Sequence, residues 1–115
     1  MIEILRKQIE DSEYWDARVK ALDCNYFCDE VKLVFEGDGD DVTFLFEECY
    51  EIRVDHPLEY PKDIPYRELT TAQIPYFMQD VELNEMTVDK KTYLKFQINL
   101  YPITLDVVCA RFRIS

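Results

Sequence analysis

Two glycines and a single histidine in 115 residues exclude several kinds of chemistry at once. A dinucleotide fingerprint or a phosphate-cradling loop depends on glycines that let the backbone approach a phosphate, and this chain has too few to build either. Nucleophilic catalysis of the Ser-His or Cys-His type would have to use His56, which precedes Pro57 at the end of an apolar run. That is a common place for a solvated or singly hydrogen-bonded imidazole. No stretch approaches the roughly 18 uninterrupted apolar residues of a membrane helix. The opening Met1-Ile2-Glu3-Ile4-Leu5-Arg6-Lys7 lacks the apolar run of a signal peptide, so the expectation is a cytoplasmic protein. Repeats, low-complexity tracts and Ser/Gly/Pro-rich linkers are also missing, and the length suits a single domain over residues 1–115.

What is present is apolar and aromatic. Hydrophobic residues make up 48% of the chain, with eight Tyr and seven Phe, enough to form a core without disulfide staples. Cys24, Cys28, Cys49 and Cys109 are expected as buried free thiols, since a domain with its own core in a reducing compartment seldom needs disulfides. A zinc site drawn from Cys24, Cys28, Cys49 and His56 has one correctly spaced pair, and the second is missing. The Tyr26-Phe27 filling of that pair looks like strand or core material. Asp38, Asp40 and Asp41 imitate the start of a calcium loop. Counted from Asp38, however, the positions that need Gly and a bidentate acid hold Thr43 and Cys49. Glu82 with Glu85, or Glu47 with Glu51, could be drawn as a glycosidase pair, yet 24 acids produce such pairs by composition alone. No cofactor or metal is expected.

The periodicity is mostly that of strands. Ile2, Leu5 and Ile9 share one face of a short helix over residues 2–11. Ala17-Val19-Ala21 alternates like a strand, and a parity shift to Leu22 and Cys24 suggests a bulge or the strand's end. Val31-Leu33-Phe35 leads into Glu36-Gly37-Asp38-Gly39-Asp40-Asp41, a turn that contains both glycines. Val42, Phe44, Phe46, Tyr50, Ile52 and Val54 then keep even parity, with a break at Glu48 that predicts a long or bent second arm. Pro57, Pro61, Pro65 and Pro75 mark an extended loop, with a helical turn expected at Leu69–Gln73 capped by Thr70 or Thr71. Strands follow over 79–86, around Leu94–Leu100 and over 103–114, with turns at 88–92 and at Tyr101-Pro102. The whole predicts a mainly β fold at the α+β margin. We expect an antiparallel meander of six or seven strands forming a curved sheet, sandwich or half-barrel, with the short helix at one end.

Charge is distributed unevenly. The net charge is -11, and residues 1–56 carry six Lys/Arg against sixteen Asp/Glu. Between Asp29 and Glu51 nine acids accompany one base, Lys32. Such a surface repels nucleic acid and anionic membranes and attracts a basic protein. The bland alternative is a solvated hairpin face that discourages edge pairing. The candidate protein-binding residues are Glu36, Asp38, Asp40, Asp41, Glu47, Glu48, Tyr50 and Glu51, with Tyr60, Tyr66 and Tyr76 nearby in sequence as further anchors.

Tyr14-Trp15-Asp16-Ala17-Arg18-Val19, a short apolar hairpin and the terminal Val107-Val108-Cys109-Ala110-Arg111-Phe112-Arg113-Ile114 together resemble small bacterial immunity proteins from polymorphic-toxin loci and related uncharacterised families. Their pattern is aromatic-His-Asp-Ala-x-Val before the first strand, and Trp15 stands here at the His position. The resemblance implies a non-enzymatic protein that neutralises a toxin encoded beside it, with basic nucleases the natural targets of an acidic example. Two other readings fit the residues: a small ligand-binding or enzymatic barrel with a pocket between the sheet and the 57–75 loop, and a housekeeping or phage-derived oligomer. A homodimer is compatible with the sequence.

Overall fold

The structure, a computed structural model, describes residues 2–58, 63–70, 73 and 75–115. Helix α1 (Ile2–Asp11) precedes six strands: β1 (Val19–Asn25), β2 (Glu30–Phe35), β3 (Val42–Asp55), β4 (Asp80–Val88), β5 (Lys91–Leu100) and β6 (Ile103–Ile114). All pair antiparallel in one open sheet of order β1-β2-β3-β6-β5-β4. The expected mainly β fold is therefore realised with six strands as a curved sheet. The sheet curls enough for its two edges to touch at one end. There the segment before β4 bridges to the segment before β1: Met78 N–H donates to Ala17 O (2.8 Å) and Val19 N–H to Tyr76 O (2.9 Å).

Alternation places Val31, Leu33, Phe35, Phe44, Phe46, Phe96, Ile98 and Leu100 on the concave face, all essentially inaccessible to solvent. Phe112 joins them from β6, with ring centroids 4.6 Å from Phe96 and 5.1 Å from Phe46. Helix α1 covers part of this face through Ile9, with Leu5 and Ile2 half-buried against the core. The helix ends where Glu13 enters a left-handed conformation (φ 51°). The Arg6 guanidinium donates to Leu83 O on β4 (2.8 and 3.2 Å), and Val81 N–H donates to the Tyr14 hydroxyl at 3.3 Å. Residues before β1 thus cap two backbone groups of the β4 edge, a common protection against edge pairing.

The 36–41 turn and the bulged start of β1 are as expected, with the β1 register slipping between Val19 and Ala21. A Cβ on Gly37 would collide with Asp40 O and Val42 Cγ2, and Gly39 has φ 104°, so this turn requires both glycines. Of the helical turn expected at Leu69–Gln73, Thr71 and Ala72 lie outside the described residues, while Gln73 N–H donates to Thr70 O (2.9 Å) and Thr70 N–H to Gln73 Oε1 (3.0 Å). A 3-10 turn is described slightly earlier, at Tyr66–Glu68.

Candidate protein-binding surface

The long strand β3 determines how the candidate residues are arranged. At Glu48 its backbone enters the left-handed region (φ 54°), and between Cys49 and Glu51 it carries one more residue than β6. Phe46, Cys49 and Ile52 all pack against the core, so inward positions around the irregularity are three apart rather than two. Two slips cancel, which is why even parity holds on both sides of the bulge. Tyr50 is the exception: it belongs to the even set in the sequence, but as the extra residue it is 69% exposed.

The candidates fall into two groups. Glu36, Asp38, Asp40 and Asp41 lie at the β2–β3 turn, and Glu47, Glu48, Tyr50 and Glu51 surround the bulge. At about 3.3 Å per residue, Asp41 and Glu48 are roughly 20 Å apart along the strand. Several of these acids have cations of their own. Arg18 Nε lies 3.9 Å from Glu36 and Lys20 Nζ 2.9 Å from Asp41. Arg113 Nε lies 3.2 Å from Glu47 and Arg111 Nε 3.5 Å from Glu48, because β6 runs beside β3. Among the described residues Asp38, Asp40 and Glu51 have no such ion pair. The single acidic face read from the sequence is thus two patches, each partly neutralised by neighbouring bases. Of the further anchors, Tyr76 is buried and its hydroxyl lies 3.0 Å from His56 Nδ1. Tyr60 and the Tyr66 side chain lie outside the described residues.

The β1–β2 hairpin tip, which the sequence reading placed in strand or core, is the most exposed apolar feature beside the bulge. Tyr26 is 75% and Phe27 fully exposed. The tip lies against the bulge, since Cys49 N–H donates to Asp29 O (2.9 Å) and Glu30 pairs with Glu47. Tyr50 and Tyr93 form an edge-on pair there, with centroids 5.0 Å apart. An amphipathic alternation ending at Cys24, followed by Asn25-Tyr26-Phe27-Cys28 with no apolar partner position, was the available signal for this tip.

All four cysteines are free, but they differ from the expected buried set. Cys24 and Cys28 are exposed, Cys49 is half-buried and Cys109 buried. The first pair sits on the solvated tip, where no opposing layer covers it. Burial pushes the Cys109 thiol up to about 12 and the Cys49 thiol up to about 11. Burial, and then the neighbouring Cys28, raise Cys24. His56 lies seven residues beyond Cys49 on the same strand direction, roughly 20 Å away, so it does not approach the thiols. Among the described residues no group of three or more His, Cys, Asp or Glu side chains is placed to hold a metal. Glu82 and Glu85 are three apart on β4 and point to opposite faces. The cavity beside His56, between Leu22, Val54, Tyr76 and Leu100, measures about 240 Å³. That is smaller than the roughly 300–1,000 Å³ of usual ligand sites. No described helix is long and apolar enough to cross a membrane.

Fold and surface together define an antiparallel β protein with one covering helix and an exposed acidic and aromatic end. A search of curated proteins finds no match. The family model for Immunity protein PIM7 matches residues 1–115, and the chain belongs to that family. The resemblance to immunity proteins seen in the sequence is thereby borne out. Its Tyr14–Val19 segment has a structural role in this chain: Tyr14 is buried under a stacked Trp15 (4.4 Å), and Ala17 and Val19 bond to the segment leading into β4, at Met78 and Tyr76.

Proposed function

We propose that this protein neutralises a cognate toxin in the cytoplasm by binding it, without chemistry of its own, and that the toxin surface it engages is basic. The observation that carries this reading is the match of the whole chain to an immunity-protein family, in a chain of net charge -11. The acids from Asp29 to Glu51 supply the docking surface. Of the nine carboxylates there, four pair with Arg18, Lys20, Arg111 and Arg113, and, with Lys32 the only base in the segment itself, a negative excess survives the internal pairing. The ion pairs at Glu36, Asp41, Glu47 and Glu48 are at least partly exposed, and such pairs contribute only about 0–1 kcal/mol each. A partner's cation can replace the internal one at little cost. Asp38, Asp40 and Glu51 are available directly.

The test is capture of the product of the adjacent reading frame, as a catalytically inactivated domain, by the full chain at two salt concentrations. Binding that weakens about tenfold or more between 50 and 500 mM salt is expected, as is a slower association rate for Asp38→Asn/Asp40→Asn/Glu51→Gln. No binding, or binding indifferent to both salt and these substitutions, would remove the acidic-surface mechanism.

A further inference from the structure

We infer that the Tyr26-Phe27 tip of the β1–β2 hairpin is the apolar anchor of the toxin contact, inserting into a cleft with a basic rim. This rests on the immunity reading above and names the part of the surface that would supply affinity. The tip is costly to the protein alone. Tyr26, Phe27 and Cys28 are successive non-glycine residues in the left-handed region (φ 54°, 54° and 69°). Each such residue opposes folding, and strain of this kind persists only where the rest of the structure holds it in place. Here the holding contacts are backbone ones: Asp29 N–H to Tyr26 O (3.0 Å) and Cys49 N–H to Asp29 O (2.9 Å). They fix the loop to the β3 bulge while leaving both rings in solvent. Neither ring is repaid by burial within the chain, for Tyr26 is 75% exposed and Phe27 fully so.

A rigid loop presenting two aromatic rings is the arrangement found at binding hot spots, where preorganised aromatic anchors enter a pocket and a polar rim excludes water. The rim here is acidic: Asp23, Asp29 and Glu30 flank the tip, and Glu47, Glu48 and Glu51 lie beside it on β3. Tyr50 offers a third exposed ring within that rim. This charge selects the occupant. A second copy of the chain would bring the same carboxylates against these, and an anionic membrane would repel them. A basic protein surface with an apolar cleft complements both parts.

The experiment compares the full chain with Tyr26→Ser/Phe27→Ser, using the inactivated toxin domain of the adjacent reading frame as the probe in titration calorimetry. Ile4→Ser, an exposed apolar residue on α1, serves as the control. Circular dichroism and thermal unfolding establish that the variants fold. The expected result is a loss of roughly 30-fold or more in affinity for the tip variant, with Ile4→Ser within about threefold of the parent. Binding by the parent with a tip variant within threefold of it overturns this inference and leaves the immunity reading intact. Failure of the parent itself to bind overturns both. Sedimentation of the same samples covers the remaining occupant: a dimer that the tip substitutions dissolve would assign the rings to a second copy and overturn the proposal.

Discussion

The left-handed residue at Glu48 makes a rank-order prediction that separates backbone geometry from side-chain chemistry. In a regular strand position, replacement by Val, Ala and Gly should give stabilities in that order, because β-branched residues fit a pleated surface and Gly costs about 0.5–1 kcal/mol relative to Ala. At φ 54° the order should invert. Gly adopts this region freely, Ala carries a cost of roughly 1–2 kcal/mol, and Val carries more because its branched Cβ crowds the following carbonyl. All three replacements lose the Glu48–Arg111 ion pair equally, so that exposed contact cancels from the comparison. Glu48→Gly is therefore expected to exceed Glu48→Ala by about 1 kcal/mol and Glu48→Val by about 2 kcal/mol or more. Urea unfolding followed by far-UV circular dichroism measures this directly. With an m-value of about 2 kcal/mol/M, each step corresponds to a midpoint shift of roughly 0.5 M. The order Val > Ala > Gly would show that β3 runs straight through position 48. It would also remove the reason Tyr50 and Glu51 sit where they do.

Two further outcomes follow from the core and the edge. Below about pH 9 the Cys109 thiol is protonated in both folded and unfolded chains and contributes no pH dependence. Above it the unfolded chain ionises first, because burial holds the folded group near 12, so stability falls as pH rises. The decline expected from Cys109 is about 1.4 kcal/mol per pH unit, or roughly 2 kcal/mol between pH 9 and 10.5. Cys109→Ala should lower stability at pH 7 yet flatten this alkaline slope, and an unchanged slope in denaturant titrations would contradict the burial argument. Arg6→Ala should cost about 1–2 kcal/mol by removing the guanidinium donated to Leu83 O. It should also uncover the β4 edge, read as concentration-dependent light scattering on mild heating; a variant as stable and as monodisperse as the parent would deny the helix this protective role.

The strands were legible because one face of the sheet is buried. Phe44 and Phe46, or Phe96, Ile98 and Leu100, cannot shift by one residue without exposing their whole apolar set. The glycine turn was legible because its backbone excludes any Cβ at Gly37. Pairing across the sheet was not. Arg111 and Arg113 are some sixty residues from Glu47 and Glu48 in sequence, and only the β3–β6 register brings them together. Counting charges along the chain therefore treated as one acidic face what the sheet divides and partly balances. The hairpin tip was missed for a related reason. Tyr26 and Phe27 have the composition of core residues, and that composition outweighed the one local cue, an alternation that ends at Cys24 with no apolar partner position after it.

Steering and affinity need not come from the same residues in this protein. Steering depends on summed charge, which internal ion pairs leave unchanged, and it acts over about a Debye length, 8–10 Å at ordinary salt, before screening removes it. At contact the situation reverses. Glu47 and Glu48 already have arginines, so exchanging one cation for another returns little net free energy. Apolar area at Tyr26 and Phe27 has no internal ring partner to give up, whereas Tyr50 already pairs edge-on with Tyr93, and burying the two tip rings yields their transfer free energy. On the immunity reading, charge-neutral substitutions at the turn should act mainly on the association rate. Loss of the tip rings should act mainly on the dissociation rate. That division follows from which groups are already satisfied within the folded chain.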